Sequence, residues 1–279
     1  MKKILFISLV SLCGLTSMAP ASVNENFNND DKNFPNLLAS DENPLVNKWV
    51  DSLYNTMHLD SVGLQRNVFF FACKGYEYLL SKNRLQKKGM ITICDYSQPS
   101  SAKRLYVLDL ENGAVVFNTY VSHGKNSGTS YATSFSNKAD SHKSSLGFMV
   151  TGETYFGKAG YSMHLDGMES GFNSNVRSRD IVMHGSDYVN GSRADEGTMM
   201  GRSYGCPAVP YGEHFLIIDK IKNGSCFFIY SPDAFYSRAS QVLNAHFNWP
   251  DALPAQNIVI NAVQNQTGTG ISQTAISKQ

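Results

Sequence analysis

The stretch RLYVLDLENGAVVFNTYV, Arg104 to Val121, decides the fold class. Two runs rich in β-branched and aromatic residues, Arg104–Leu110 and Ala114–Val121, flank Glu111-Asn112-Gly113. An Asn-Gly step between two such runs marks a β-hairpin, because both residues accept the positive φ of a tight turn. Outward from this hairpin the same kind of run recurs: Met90–Tyr96 before it, then Gly147–Thr151, Ser162–Leu165, Ile181–His184 and Ser225–Tyr230 after it. Short strands punctuated by turn residues predict a mainly β domain, an antiparallel sandwich or barrel. One stretch breaks the pattern. Glu213–Lys222 places Phe215, Ile218 and Ile221 on one side and runs into Asn223-Gly224, which predicts one helix with a C-terminal stop. Upstream, Trp49, Leu53 and Met57, then Phe70, Tyr76, Leu79 and Leu80 recur at helical spacing. This predicts a small helical segment of two or three helices over 44–88, ahead of a β-domain over 89–235.

The ends read differently. Lys2 and Lys3, the apolar run Ile4–Leu15 and Ala19-Pro20-Ala21 have the layout of a signal peptide over 1–21. The apolar run is shorter than the roughly 20 residues needed to span a bilayer, so no stable membrane insertion is expected after cleavage. Residues 22–43 are rich in Asn, Asp and Ser, and read as a flexible leader. Residues 236–279 read as a C-terminal extension whose end, rich in Gln, Ser, Thr and Gly, is expected to be disordered. Over the whole chain 24 basic residues stand against 23 acidic ones; without Lys2 and Lys3 the basic count falls one below the acidic. Such a balance gives nucleic acid nothing to bind.

Export places the remaining cysteines, Cys73, Cys94, Cys206 and Cys226, in an oxidising compartment that tends to pair thiols. A Cys73–Cys94 bridge between a helix and a strand and unpaired core cysteines are equally compatible with the pattern.

Chemistry concentrates in IVMHGSDYVNGSRADEGTMMGRSYGCPAVP, Ile181 to Pro210. His184 ends an apolar strand, and Cys206 lies 22 residues later in the loop Arg202-Ser203-Tyr204-Gly205-Cys206-Pro207. An imidazole within reach of a thiol removes its proton and stabilises the thiolate as an ion pair. Gly205 lets the backbone turn, so that the amides of Tyr204, Gly205 and Cys206 converge on one point, as an oxyanion requires. On residue types alone, a disulfide-bonded turn cysteine and a core histidine explain the same residues.

The His-Gly-Ser, the loop Ser203-x-Gly205-Cys206 and the strands before them resemble the catalytic domain of the L,D-transpeptidases. Val121-Ser122-His123-Gly124-Lys125-Asn126-Ser127-Gly128, Phe135-Ser136-Asn137 and Ser144-Ser145-Leu146-Gly147 resemble the murein L,D-transpeptidase catalytic-domain-like branch of that family. The match runs in order from about Ile91 to Tyr230. Two positions depart from the more familiar members: Tyr204 replaces a histidine before Gly-Cys, and Ala208 replaces an Arg or Asn two residues after the cysteine. The resemblance implies a β-sandwich or barrel of the L,D-transpeptidase type that acts on peptidoglycan stem peptides. It implies Cys206 as nucleophile, His184 as base and then acid, and the Gly185 carbonyl as the group orienting the imidazole. It further implies substrate or oxyanion contacts from Ser203, Tyr204 and Gly205, and no metal or organic cofactor. By residue type and position, His123 in the loop after a strand is a candidate to line the groove and Arg202 a candidate to meet stem carboxylates. Water in place of an acceptor amine would make the same acyl-enzyme an L,D-carboxypeptidase. A Cys206–Cys226 disulfide would make the chain a non-catalytic wall-binding module.

Overall fold

The computed structural model of the chain describes residues 43–246. The expected signal, the leader up to its last residue and the extension beyond 246 lie outside the described residues. Two helices come first. In α1 (Pro44–Thr56) the Asn43 side chain accepts from Leu45 N–H at 2.9 Å, and Pro44 takes the first turn, where a missing N–H costs nothing. Its apolar face buries Val46, Trp49, Val50 and Leu53. In α2 (Arg66–Ser81) every residue from Val68 to Cys73 is buried, so this helix is covered on more than one side. Arg66 Nε bonds Asp51 at 2.7 Å and ties the two helices together.

Eight strands form one sheet: β1 (Met90–Asp95), β2 (Leu105–Asp109), β3 (Ala114–Thr119), β4 (Gly147–Gly157), β5 (Gly160–Gly167), β6 (Val182–Ser186), β7 (Ala208–Pro210) and β8 (Cys226–Tyr230). Their spatial order is β3-β2-β1-β8-β4-β5-β6-β7. The β2–β3 hairpin forms where the Asn-Gly step predicts it. Gly113 has φ +60°, and the Asp109 carboxylate accepts from the Glu111 and Asn112 amides at 3.2 and 3.0 Å. Beyond β3 the chain curls back to the other end of the sheet. Ser122 N–H donates to Ala208 O at 2.8 Å, and Ser203 N–H donates to His123 O at 3.0 Å, leaving a nearly closed, barrel-like sheet.

The two faces of this sheet carry different helices. On β8, Phe228 and Tyr230 face α2: Phe71 stacks on Tyr230, and Phe228 stacks at 4.1 Å on Phe148, whose ring fills the space beside Gly75. A Cβ at Gly75 would lie 2.1 Å from that ring, so only glycine lets α2 come this close. On the opposite face lies α4 (His214–Ile221), whose Ile221 O accepts from Thr151 Oγ1 at 2.6 Å. With both faces covered, β1 and β8 are buried at every residue, which explains why β8 is apolar throughout and β1 apolar apart from Thr92 and Asp95. Asn223 and Gly224 end α4 at φ +65° and +102°.

The structure departs from the sequence reading in several places. The β1–β8 and β6–β7 ladders are parallel. Strands β4 and β5 extend into a long hairpin with Lys158 and Ala159 at its tip. The three-residue β7 and the short helices α3 (Gly191–Asp195) and α5 (Ala234–Ala239) were not expected. No disulfide forms among the described residues, and all four cysteines there are free. Side-chain alternation rules out Cys73–Cys94: Cys94 pairs in register with Ile229, on the face turned away from α2, which carries Cys73. A Cys206–Cys226 bridge fails too, because Cys226 is fully buried in β8, whereas Cys206 is half-buried at a cleft. The buried Glu169 carboxylate draws the chain after β8 back onto β4. It accepts from Phe148 N–H at 2.7 Å, Tyr236 OH at 2.9 Å and the Ser240 hydroxyl.

Candidate active site

An open cleft of about 880 Å³ lies where the end of β6, the cysteine loop and the tip of the β4–β5 hairpin meet. His184, Cys206, Ser203, Tyr204 and Arg202 line it, together with Arg179, Asp180 and Lys158. Among the described residues, six non-glycine residues adopt positive φ, and three of these, Asp140, His142 and Asp180, line this cleft. Left-handed backbone at such residues persists only where surrounding contacts enforce it, and it gathers at working sites.

The parallel β6–β7 ladder sets His184 opposite Ala208, two residues beyond Cys206. His184 Nδ1 lies 2.9 Å from Gly185 O. A carbonyl only accepts, so Nδ1 carries the proton and Nε2 keeps its lone pair. Glycine is required at 185, since a Cβ there would sit 2.6 Å from the His214 ring packed against it. Burial, and to a smaller degree His214, lower the His184 pKa below the ordinary histidine value, while the Gly185 hydrogen bond opposes this. The imidazole is therefore neutral at pH 7.

The Cys206 thiol is held by backbone. It donates to Asp180 O and accepts from Val182 N–H, both at 3.5 Å, and no hydrogen bond joins it to His184 among the described residues. Burial raises the thiol pKa; the Val182 amide and Arg179 lower it, and Asp180 raises it further. Both groups thus rest uncharged, where the spacing argument expected an ion pair.

Ser203 builds the turn. Its hydroxyl accepts from Gly205 N–H at 3.0 Å and donates to Cys206 O at 2.6 Å. Gly205 has φ +122°, and a Cβ on it would lie 2.7 Å from Lys143 O and 2.8 Å from Ile181 Cδ1. The Gly205 amide is consequently occupied and does not join an oxyanion site. The Tyr204 and Cys206 amides make no hydrogen bond among the described residues.

The other sequence candidates take separate places. Arg202 Nη1 donates to Lys125 O at 3.0 Å and Gly128 O at 2.8 Å, clasping the loop after β3. Tyr204 is 66% exposed, its ring tilted by 40° against that of His142 at 4.5 Å, with the Lys125 ammonium 4.3 Å from its ring centre. His123 does not line the cleft. It is fully buried, with Nδ1 2.8 Å from Arg104 Nη2 and its ring 6.0 Å from that of Tyr96. Burial and the Arg104 charge push its pKa down to about 4, so it stays neutral and acts as a strut, bonded to the cysteine loop through its backbone carbonyl.

Sequence reasoning missed Arg179 and Asp180, just ahead of the strand that carries His184. The signal available was a charged pair abutting an apolar strand end. Nothing in residue type says that the first of them turns inward.

A fold built on a nearly closed eight-stranded sheet, with a thiol and an imidazole opening on one cleft, defines the class. A family model described as the L,D-transpeptidase catalytic domain matches residues 60–230, and the chain belongs to that family. Its fold is of the L,D-transpeptidase type. Solved structures to which the chain is similar include an L,D-transpeptidase from Mycobacterium smegmatis (9% identity, 51% of this chain and 59% of that chain, TM-score 0.33). Others are L,D-transpeptidases from Stackebrandtia nassauensis (14%, 73% and 91%, 0.32) and Xylanimonas cellulosilytica (20%, 52% and 62%, 0.30). The chain thus spans less than two thirds of the first of these, 59% of its length. No curated protein matches it. Among the described residues, no helix is long and apolar enough to cross a membrane.

Proposed function

We propose that this chain is an exported peptidoglycan L,D-transpeptidase of the cell envelope or periplasm, acting on tetrapeptide stems through a Cys206 acyl-enzyme. The observation that carries the reading is the convergence of the Cys206 thiol and the His184 imidazole on one cleft, within a domain of this family. Cys206 Sγ attacks the carbonyl that joins the third stem residue to the terminal D-alanine. Its proton passes to His184 Nε2, the nitrogen left with a lone pair by the Nδ1 bond to Gly185 O. The oxyanion is met by the Tyr204 and Cys206 amides. His184 returns the proton to the leaving D-alanine, and an amine from a second stem then takes the acyl group as a cross-link.

The test is to incubate the pure protein with tetrapeptide muropeptides and separate the products. Cross-linked dimers and free D-alanine are expected. Tripeptide monomers alone would turn the assignment into an L,D-carboxypeptidase, and no product from a folded protein would remove it.

A further inference from the structure

The Arg179 guanidinium is bound on both terminal nitrogens by neutral acceptors. Nη1 donates to Ser136 O and Ser145 Oγ, each at 2.7 Å. Nη2 donates to Ser141 Oγ at 3.1 Å and Lys143 O at 2.8 Å. Among the described residues no carboxylate forms an ion pair with it, although exposed Arg177 holds both Asp166 and Glu153. A half-buried cation without a counter-ion is costly to keep. A place in the fold that accepts this cost implies a negative charge arriving at some stage of the working cycle.

The location of Arg179 names that charge. Lys143 O, which accepts from Arg179, is the atom that closes over Gly205: a Cβ on Gly205 would lie 2.7 Å from it. The next residue, Asp180, is the one whose carbonyl accepts from the Cys206 thiol. The guanidinium is therefore one carbonyl away from the cysteine turn on one side and one residue away from the acceptor of the thiol proton on the other.

We propose that Arg179 is a positioning residue for the nucleophile, a clamped and uncompensated cation against which the Cys206 thiolate forms as the proton leaves Sγ for His184 Nε2. This rests on Cys206 being the nucleophile. The same fork holds the segment that carries the left-handed Asp140 and His142, so one side chain shapes a wall of the cleft and charges its floor. The attraction between Arg179 and Cys206 works in the expected direction on both groups. It complements an imidazole that is neutral at rest: the guanidinium is already charged when the sulfur becomes so, and needs no proton from the thiol to be ready.

The experiment measures the pH midpoint of Cys206 alkylation by iodoacetamide, without substrate, in the parent and three variants. The titratable groups around the thiol are Arg179, Asp180, His184, Tyr96, Tyr155 and Tyr188, and only the first two are altered. Arg179→Gln is expected to raise the midpoint by about one pH unit or more. Arg179→Lys, which keeps the charge but loses the fork, should stay closer to the parent. Asp180→Asn keeps every Arg179 clamp, removes the opposing charge and should lower the midpoint, so it tests the electrostatics even if Arg179→Gln does not fold. An unchanged midpoint in folded Arg179→Gln or in Asp180→Asn would overturn the proposal. So would equal shifts in the Gln and Lys variants, which would reduce Arg179 to a strut. Turnover of muropeptides by Cys206→Ser would instead sink the nucleophile assignment, leaving the thiol titration a separate result.

Discussion

The half of the sheet under α2 and the half that opens on the cleft treat the same chemical group in opposite ways. In the covered half, Cys73, Cys94 and Cys226 are completely buried, and burial raises each thiol well above its ordinary range. In the open half, Cys206 is half-buried, receives an amide hydrogen bond and has a guanidinium nearby, so that its upward shift is opposed from two sides. The electrostatic setting of each thiol here follows from its placement in the fold. The covered half contributes stability, whereas the open half carries strained backbone at Asp140, His142 and Asp180.

The division breaks most directly at Cys206 itself. Cys206→Ala is expected to reduce transfer at least about a thousandfold while leaving the fold intact; muropeptide turnover and near-ultraviolet circular dichroism check both parts. Truncation in the covered half should do the converse. Phe228→Ala removes a ring stacked at 4.1 Å on Phe148 and is expected to cost about 3–5 kcal/mol in urea unfolding. The alkylation rate of Cys206 in the folded fraction should not change, and a parallel loss of thiol reactivity would show that the halves are coupled. Gly205→Ala forces a Cβ against Lys143 O and Ile181 Cδ1 and should displace the nucleophile, lowering kcat/KM about a hundredfold with a smaller change in stability.

The mildest test uses pH. A base must be neutral to act, and burial holds His184 below its ordinary 6.5, so protonation and loss of activity require more acid than for a free imidazole. The acid limb of kcat/KM should lie below pH 6.5, and a limb at or above that value would contradict the burial argument.

Much of this fold was legible because local chemistry dictated it. The Asn112-Gly113 turn, the Asn223-Gly224 stop and the apolar runs of β1, β6 and β8 each carry their own explanation. What escaped depended on distant partners. The three residues of β7 are a strand only because β6 lies beside them, and the outer part of the β4–β5 hairpin is largely exposed, so no buried–exposed alternation betrays it. At the site, glycine before cysteine correctly signalled a turn. The sequence could not show that Ser203 would occupy the Gly205 amide, nor that Arg104 would draw His123 out of the groove. Arg179 was hidden for the same reason, since its four acceptors come from a segment more than thirty residues earlier.

The place of β8 in the sheet has a consequence for how the molecule comes into being. In the middle of the sheet, strands β1 to β3 and β4 to β7 are joined through β8, the last strand among the described residues. Until Tyr230 has been made, a growing chain lacks this central join and leaves one edge of β1 and one of β4 unpaired, with contacts such as those of Ser122 with Ala208 and of His123 with Ser203 left to link the two groups. Such non-local closure is slow. The thiol and the imidazole, both already synthesised, therefore wait for a strand that touches neither before the barrel around them can close.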